Sequence, residues 1–68
     1  MKTENLSVPI PQKLALTIPE AAAYSNIGMN KIAKLLQEPN CPFVLYVGAK
    51  KLVKREAFED YIRKSLVI

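Results

Sequence analysis

The apolar positions of the chain follow helical spacing in three stretches and strand spacing between them. Thr17, followed three residues later by Glu20, has the pattern of a capping box, in which each side chain satisfies a backbone N–H at the start of a helix. Pro19 suits the first helical turn, because its missing N–H would have no partner there. We therefore predict a first helix from about Ile18 to Ser25.

A second helix is predicted from about Met29 to Glu38. Gly28 precedes it and is predicted to take the left-handed conformation that turns the chain between two helices. Pro39 is predicted to end it. Two helices joined by a short turn with glycine form a helix-turn-helix unit. The apolar residues of the second helix recur at the spacing of one helical face: Met29, Ile32, Leu35 and Leu36.

Three short apolar runs predict strands. They are Leu14–Leu16, Phe43–Val47 and Leu52–Val53, the second being rich in β-branched and aromatic residues. Residues 48–51, with the sequence Gly-Ala-Lys-Lys, separate the last two runs and predict a hairpin with a basic tip.

A last helix is predicted from about Arg55 to Ser65. Its opposite charges at i,i+4 spacing support it, and its predicted buried stripe is Phe58, Tyr61 and Ile62. The order of elements is then strand, helix, tight turn, helix, hairpin, helix. The predicted fold class is α+β, a small winged helix-turn-helix with three helices and a β-hairpin wing.

The domain organisation follows from length and periodicity. A chain of 68 residues allows one domain. Residues 1–13, which include Pro9 and Pro11, show no periodicity and are predicted to form a flexible N-terminal arm. Residues 14–68 are predicted to form the winged helix-turn-helix domain.

The composition argues against catalysis. The chain has one cysteine, Cys41, and no histidine, so it lacks an internal disulfide, a zinc-ligand cluster and the commonest general base. No phosphate-binding glycine loop or catalytic triad is present, and no apolar stretch is long enough to span a membrane. We predict a cytoplasmic protein that is not an enzyme, with no catalytic residues, cofactor or metal and no membrane partner.

The polar face of the second helix is the first candidate for DNA contact. In a helix-turn-helix, polar residues near the start of the second helix meet base edges in the major groove. Here they are Asn30, Lys31 and Lys34. Asparagine pairs with adenine in a bidentate manner, and lysine donates to guanine or phosphate. The alternative is an ordinary solvated helix face.

The hairpin supplies a second candidate. Lys50, Lys51, Lys54 and Arg55 place four cations within six residues, and the net charge of the whole chain is +4. Clustered cations repel one another unless an anion such as a phosphate neutralises them. The alternative is a turn decorated with lysines that block aggregation at an edge strand. With the helix-turn-helix, these cations give the two basic elements of a winged helix.

These residues resemble a known family. The run Leu16–Ala22 is similar to the Leu-Thr-x-x-Glu-Ala-Ala opening of excisionase-type and MerR-type DNA-binding domains. The run Ile27–Ile32 resembles the family's turn and start of the recognition helix. The run Val47–Lys51, followed by Lys54, Arg55 and Phe58, resembles its wing and the entry to its last helix. The small excisionases of conjugative transposons resemble the chain most. Family members often carry arginine in the recognition helix, where this chain has residues 32–34, Ile-Ala-Lys.

The resemblance implies a function that spacing does not. Excisionases are architectural proteins that bind double-stranded DNA near the ends of a mobile element. They bend it and help a separate integrase, a tyrosine recombinase, to excise the element. The resemblance places Asn30, Lys31 and Lys34 in the recognition helix and Lys50 and Lys51 on the wing. It also suggests that several copies associate on DNA.

Two further functions remain open from the sequence. One is a small transcriptional regulator of a mobile element or phage, which would use the same fold to occupy a promoter. The other is a protein-interaction module without a DNA role, whose basic faces only solvate the domain.

Overall fold

The computed structural model describes residues 8–68. Within that range a 3₁₀ turn, Ile10–Gln12, precedes three α-helices and three β-strands. The bounds of the regular elements are β1, Ala15–Leu16; α1, Ile18–Ser25; α2, Met29–Leu36; β2, Val44–Val47; β3, Lys50–Lys54; and α3, Arg55–Arg63. The order and types of these elements confirm the predicted α+β fold, a winged helix-turn-helix with a β-hairpin wing.

The three strands form an antiparallel sheet in the order β1-β3-β2, so β3 is central. Its residue Val53 lies opposite Leu16 on one side and Val44 on the other. Because all three side chains point to the same face, this row joins the sheet to the hydrophobic core. Val53 and Leu16 are fully buried.

The hairpin between β2 and β3 is tighter than predicted. Its turn has two residues, Gly48 and Ala49, and Val47 pairs directly with Lys50. Gly48 has φ 59° at the first central position, the pattern of a type II′ turn, whose twist matches that of the flanking strands. The predicted four-residue tip is therefore wrong: Lys50 and Lys51 are the first residues of β3.

The core joins all three helices to the sheet. The ring of Phe43 lies 5.1 Å, centroid to centroid, from both Phe58 and Tyr61 of α3. Such tilted aromatic pairs add to the stabilisation from burial. The buried side chains of the described residues are Leu16, Ala21, Ile32, Leu35, Leu36, Phe43, Val53 and Phe58. Met29, predicted on the apolar face of α2, is instead 52% exposed, because it lies at the first turn beyond the edge of the core.

Helix α1 begins as predicted but the turn after it differs. The Thr17 hydroxyl accepts from the Glu20 N–H, and the Glu20 carboxylate accepts from the Thr17 N–H, which confirms the capping box. The left-handed residue of the turn is Asn26, with φ 65°, and not Gly28. Gly28 has φ −64° and ψ 150° and is the N-cap of α2. The helix ends at Ser25, so the left-handed cap falls at the next residue, and asparagine tolerates it.

Two helices end earlier than predicted. Helix α2 ends at Leu36 rather than Glu38, because Pro39 disfavours helical backbone at the residue before it. The N–H groups of residues 37 and 38 turn to carbonyls three residues back. Helix α3 ends at Arg63 rather than Ser65, and the Ser65 hydroxyl donates to the Tyr61 carbonyl at 2.8 Å.

The predicted N-terminal arm lies partly outside the described residues, which begin at Val8. Its described end is not a loose extension. Ile10 packs against the core, and the 3₁₀ turn places Lys13 beside Glu20 of α1, where the two side chains form an ion pair. None of the helices in residues 8–68 is long and apolar enough to cross a bilayer.

The turn between α1 and α2 gives a test of the fold. Asn26→Ala should lower the free energy of unfolding by about 1 kcal/mol, because alanine is strained in left-handed backbone. Asn26→Gly should leave stability unchanged or slightly raised. Urea denaturation of the purified variants measures both. Gly28→Ala is the matched control: its φ suits alanine and no atom beyond its chain neighbours lies within 4 Å of the added Cβ, so its loss should be limited to weaker N-capping of α2. A larger loss in Gly28→Ala than in Asn26→Ala would contradict the described turn.

Candidate nucleic-acid interface

Apart from the exposed Met29, helix α2 buries its large apolar side chains and exposes its polar ones. Ile32, Leu35 and Leu36 are buried, whereas the predicted site residues Asn30, Lys31 and Lys34 are exposed. At about 100° per residue these three exposed positions fall within one quarter to one third of the helix circumference, opposite the buried ones. The structure therefore brings the three predicted residues together on one open face. An α-helix with an open polar face fits the major groove of B-DNA.

The wing cations divide between the two faces of the sheet. Side chains alternate along a strand, so Lys51 shares a face with the buried Val53, on the side against which the helices pack. Lys50 and Lys54 project to the opposite face. There Lys54 lines an open groove beside Leu14, Leu45, Glu56 and Ala57. The sequence groups these lysines within a few residues, and the structure divides them between the two faces of the sheet.

Tyr46 is a neighbour of Lys51 that was not among the predicted contact residues. It lies directly opposite Lys51 in the register of β2 and β3, and its side chain is 63% exposed. The Lys51 ammonium lies 5.9 Å from the centre of the Tyr46 ring, within the range of a cation–π contact. From the sequence alone, a tyrosine on the hairpin could face either the DNA or the core, and the structure exposes the Tyr46 side chain to solvent.

Arg55 differs from the other predicted wing residues. Its side chain is only 17% exposed, and its Nε donates to the Lys13 carbonyl at 2.7 Å. Its Nη1 donates to Glu59 at 3.0 Å. The guanidinium thus ties the segment before β1 to helix α3. Its predicted DNA contact stays a prediction, and the contacts of the free protein give it a structural role that charge counting did not reveal.

Glu59 joins Arg55 to the helix-turn-helix. Its carboxylate accepts from the Tyr24 hydroxyl of α1, as well as from Arg55 and from Arg63 at 3.4 Å. These contacts, above all the Tyr24 hydrogen bond and then Arg55, lower the pKa of Glu59 from its ordinary 4.5. In the same way, the Lys13 side chain and the Thr17 N–H lower the pKa of Glu20.

The ion pairs leave one set of cations without an acidic partner. Within residues 8–68, Lys13, Arg55, Arg63 and Lys64 are paired, and four carboxylates are used by them: Glu20, Glu56, Glu59 and Asp60. In the same range no ion pair involves the cations of α2 or β3: Lys31, Lys34, Lys50, Lys51 and Lys54. The positive charge of the described domain is therefore concentrated on the second helix and the wing.

Other chemistry has little support in the described part of the chain. No group of three histidine, cysteine, aspartate or glutamate side chains that could hold a metal occurs in residues 8–68. Cys41 is a free, half-buried thiol packed against the core. Three grooves between described residues, beside Leu45, Tyr24 and Pro42, are open to solvent and are not enclosed cavities.

These elements define the class of protein as a small winged helix-turn-helix. A family model for the excisionase from transposon Tn916 matches residues 1–67. The excisionase from transposon Tn916 of Streptococcus agalactiae serotype V is 38% identical over 56 residues, 81% of this chain and 84% of that protein. No solved structure matches the chain. The chain belongs to the family of Tn916 excisionases, which confirms the resemblance found in its sequence.

Membership in the Tn916 excisionase family indicates the general function of the chain. Excisionases of this family take part in the DNA recombination of conjugative transposons, as DNA-binding accessory proteins and not as enzymes. The prediction that this chain is not an enzyme agrees with that membership. The predicted contact residues on α2 and on the wing are not tested by membership, and they stay predictions.

The Glu59 cluster predicts how stability depends on pH. Because the folded-state pKa of Glu59 is lowered, its ionisation stabilises the protein above about pH 4.5, and that contribution is lost as the pH falls through the folded-state pKa. Glu59→Gln should therefore be less stable at pH 7 and lose less stability between pH 5 and pH 3. Urea midpoints across this range measure the change.

The control for this prediction is Glu56→Gln. The Glu56 carboxylate is 82% exposed and lies 3.7 Å from Arg55, so its removal should leave the acid dependence close to that of the unmodified protein. The dependence that remains in Glu59→Gln is expected from Glu20. If Glu59→Gln and Glu56→Gln gave the same profile, the assigned role of the Tyr24–Glu59–Arg55 contacts would be incorrect.

Proposed function

We propose that the chain is an excisionase that binds double-stranded DNA at the ends of its mobile element, bends it and assists a tyrosine-recombinase integrase. Family membership supports the excisionase role. The observation that carries the DNA-binding proposal is the segregation of charge in residues 8–68. Within that range Lys13, Arg55, Arg63 and Lys64 have acidic partners, and no ion pair among the described residues involves the lysines of α2 and β3.

Helix α2 is the proposed recognition helix. Its exposed face would enter the major groove with Asn30, Lys31 and Lys34 toward the bases and the flanking phosphates. The Asn30 amide offers both a donor and an acceptor, which is what bidentate pairing with adenine needs. The lysines are point charges that suit guanine O6 and N7 or a phosphate oxygen.

The wing is proposed to contact the sugar-phosphate backbone beside that groove. Lys50 and Lys51 lie next to the two-residue turn, at the end of the hairpin farthest from the buried Val53. Neutralising phosphates releases condensed counterions, so these contacts would add affinity for any duplex and make it sensitive to salt. Lys54 lies near the body, and its contribution is expected to be smaller.

Bending is the proposed means by which the protein assists excision. Duplex DNA has a persistence length of about 150 bp, so a short segment between integrase sites is stiff. Bending it costs of order 1–6 kcal/mol, which contacts from the helix, the wing and further bound copies would offset. A bent segment would bring distant integrase sites together. This role places the protein with the DNA in the cytoplasm.

Substitutions in the wing and in helix α2 should affect duplex binding in different ways. Lys50→Ala with Lys51→Ala should weaken binding to all duplexes and reduce the slope of log affinity against log salt by about 1 per lysine. Asn30→Ala should cost about 1–3 kcal/mol on an element-end duplex and little on random duplex. Fluorescence anisotropy at several salt concentrations measures both.

The matched control for the wing variant is Arg63→Ala with Lys64→Ala. It removes the same charge from cations that are 69% and 75% exposed but have acidic partners on α3. It should bind DNA like the unmodified protein. Equal losses in the two double variants would show that net charge, and not the wing, determines binding. If the unmodified protein bound no duplex at low salt, the proposal itself would fail.

Excision itself tests the biological role. The protein alone should neither cut nor join DNA. Added to the cognate integrase and a substrate with both element ends, it should raise the yield of excised circle, and the Lys50/Lys51 double variant should lose this stimulation. A promoter reporter from the same element should be unchanged. An altered reporter without any effect on excision would favour a transcriptional regulator instead.

A further inference from the structure

Tyr46 is an exposed aromatic side chain placed on the wing. It lies one residue before Val47, which pairs with Lys50 beside the hairpin turn, and 63% of its surface is open to solvent. The other tyrosines of the described residues have partners: Tyr24 donates to Glu59, and Tyr61 packs against Phe43. Among the described residues, the Tyr46 side chain makes neither a hydrogen bond nor an aromatic contact of this kind.

The register of the sheet fixes the direction in which Tyr46 points. It shares a face with Val44, two residues earlier, and Val44 packs against the core. Since side chains alternate along a strand, Tyr46 and Lys51 project to the side of the sheet that carries the helices. Leu45 and Leu52 point the other way, and neither packs against the core. Tyr46 and Lys51 therefore extend the helix-bearing face of the domain onto the wing.

The contact between Lys51 and Tyr46 has consequences for the ammonium. The Lys51 Nζ lies 5.9 Å from the centre of the Tyr46 ring, at the outer limit of a cation–π contact, which favours those positions of the ammonium that lie over the ring. A charge that is already positioned loses less conformational entropy when it meets an anion. The phenol hydroxyl on the same side chain is a second donor for that anion.

We propose that Tyr46 is a further DNA-contacting residue, which donates its hydroxyl to a backbone phosphate and holds the Lys51 ammonium for the same strand. This inference rests on the proposed function, since it names a residue and a role within the same interface. The ligand is the sugar-phosphate backbone, so the contact contributes to binding of any duplex sequence.

The test combines substitutions at the two positions. Tyr46→Phe keeps the ring and removes the hydroxyl, and it should lower duplex affinity about three- to tenfold. Tyr46→Leu should lower it further and should remove part of the effect of Lys51→Met, so the two changes should be less than additive. Tyr24→Phe is the control, because it removes a hydroxyl that is bonded to Glu59, and its affinity should match the unmodified protein.

A spectroscopic measurement separates contact from structural support. In protein labelled with 3-fluorotyrosine, the ¹⁹F resonance of Tyr46 should shift on addition of duplex, whereas that of Tyr24 should not. If the Lys50/Lys51 double variant lost affinity but Tyr46→Phe and Tyr46→Leu bound like the unmodified protein, this inference would be overturned and the proposed function would stand. If the unmodified protein bound no duplex, the proposed function would fail instead.

Discussion

The burial of Val53 in the central strand is the constraint on which the rest of the structure depends. Val53 lies between Leu16 and Val44 in the sheet and has no exposed surface. It belongs to the same core as Ile32 and the aromatic side chains beneath α3. In a domain this small the buried cluster is the main source of stability. It therefore holds the second helix and the wing in one relative position, and a two-element DNA-binding face needs that rigidity.

Electrostatics complements this packing. In the described residues, acidic side chains neutralise the cations that tie the segment before β1, helix α1 and helix α3 together, as Glu20 does for Lys13 and Glu59 does for Arg55. The same contacts lower the pKa values of both carboxyls, so both remain ionised to a lower pH than an ordinary glutamate does. The positive charge left over lies on the second helix and on β3. A modest net charge can thus support a phosphate-binding surface, because its distribution is uneven.

The sequence predicted those features that neighbouring residues determine. The capping box of Thr17 and Glu20 is a local interaction, and helix α1 has the predicted bounds. The left-handed turn residue was misassigned because asparagine and glycine both tolerate that backbone, and the position of the helix end decides between them. The wing register and the anchoring of Arg55 depend on residues distant in sequence. The spacing of residues along the sequence reveals neither the register nor this anchoring. The sequence therefore could not show that the wing cations lie on two faces of the sheet.

We propose that helix α2 and the wing around Tyr46, Lys50 and Lys51 form one DNA-binding surface. A titration of ¹⁵N-labelled protein with an element-end duplex, followed by backbone amide shifts, tests it most directly. We expect the largest changes on residues 28–34 and 46–51, with little change at Arg63 and Lys64. Changes concentrated on α3 or around Leu14, Leu45 and Ala57, with residues 28–34 unaffected, would contradict it.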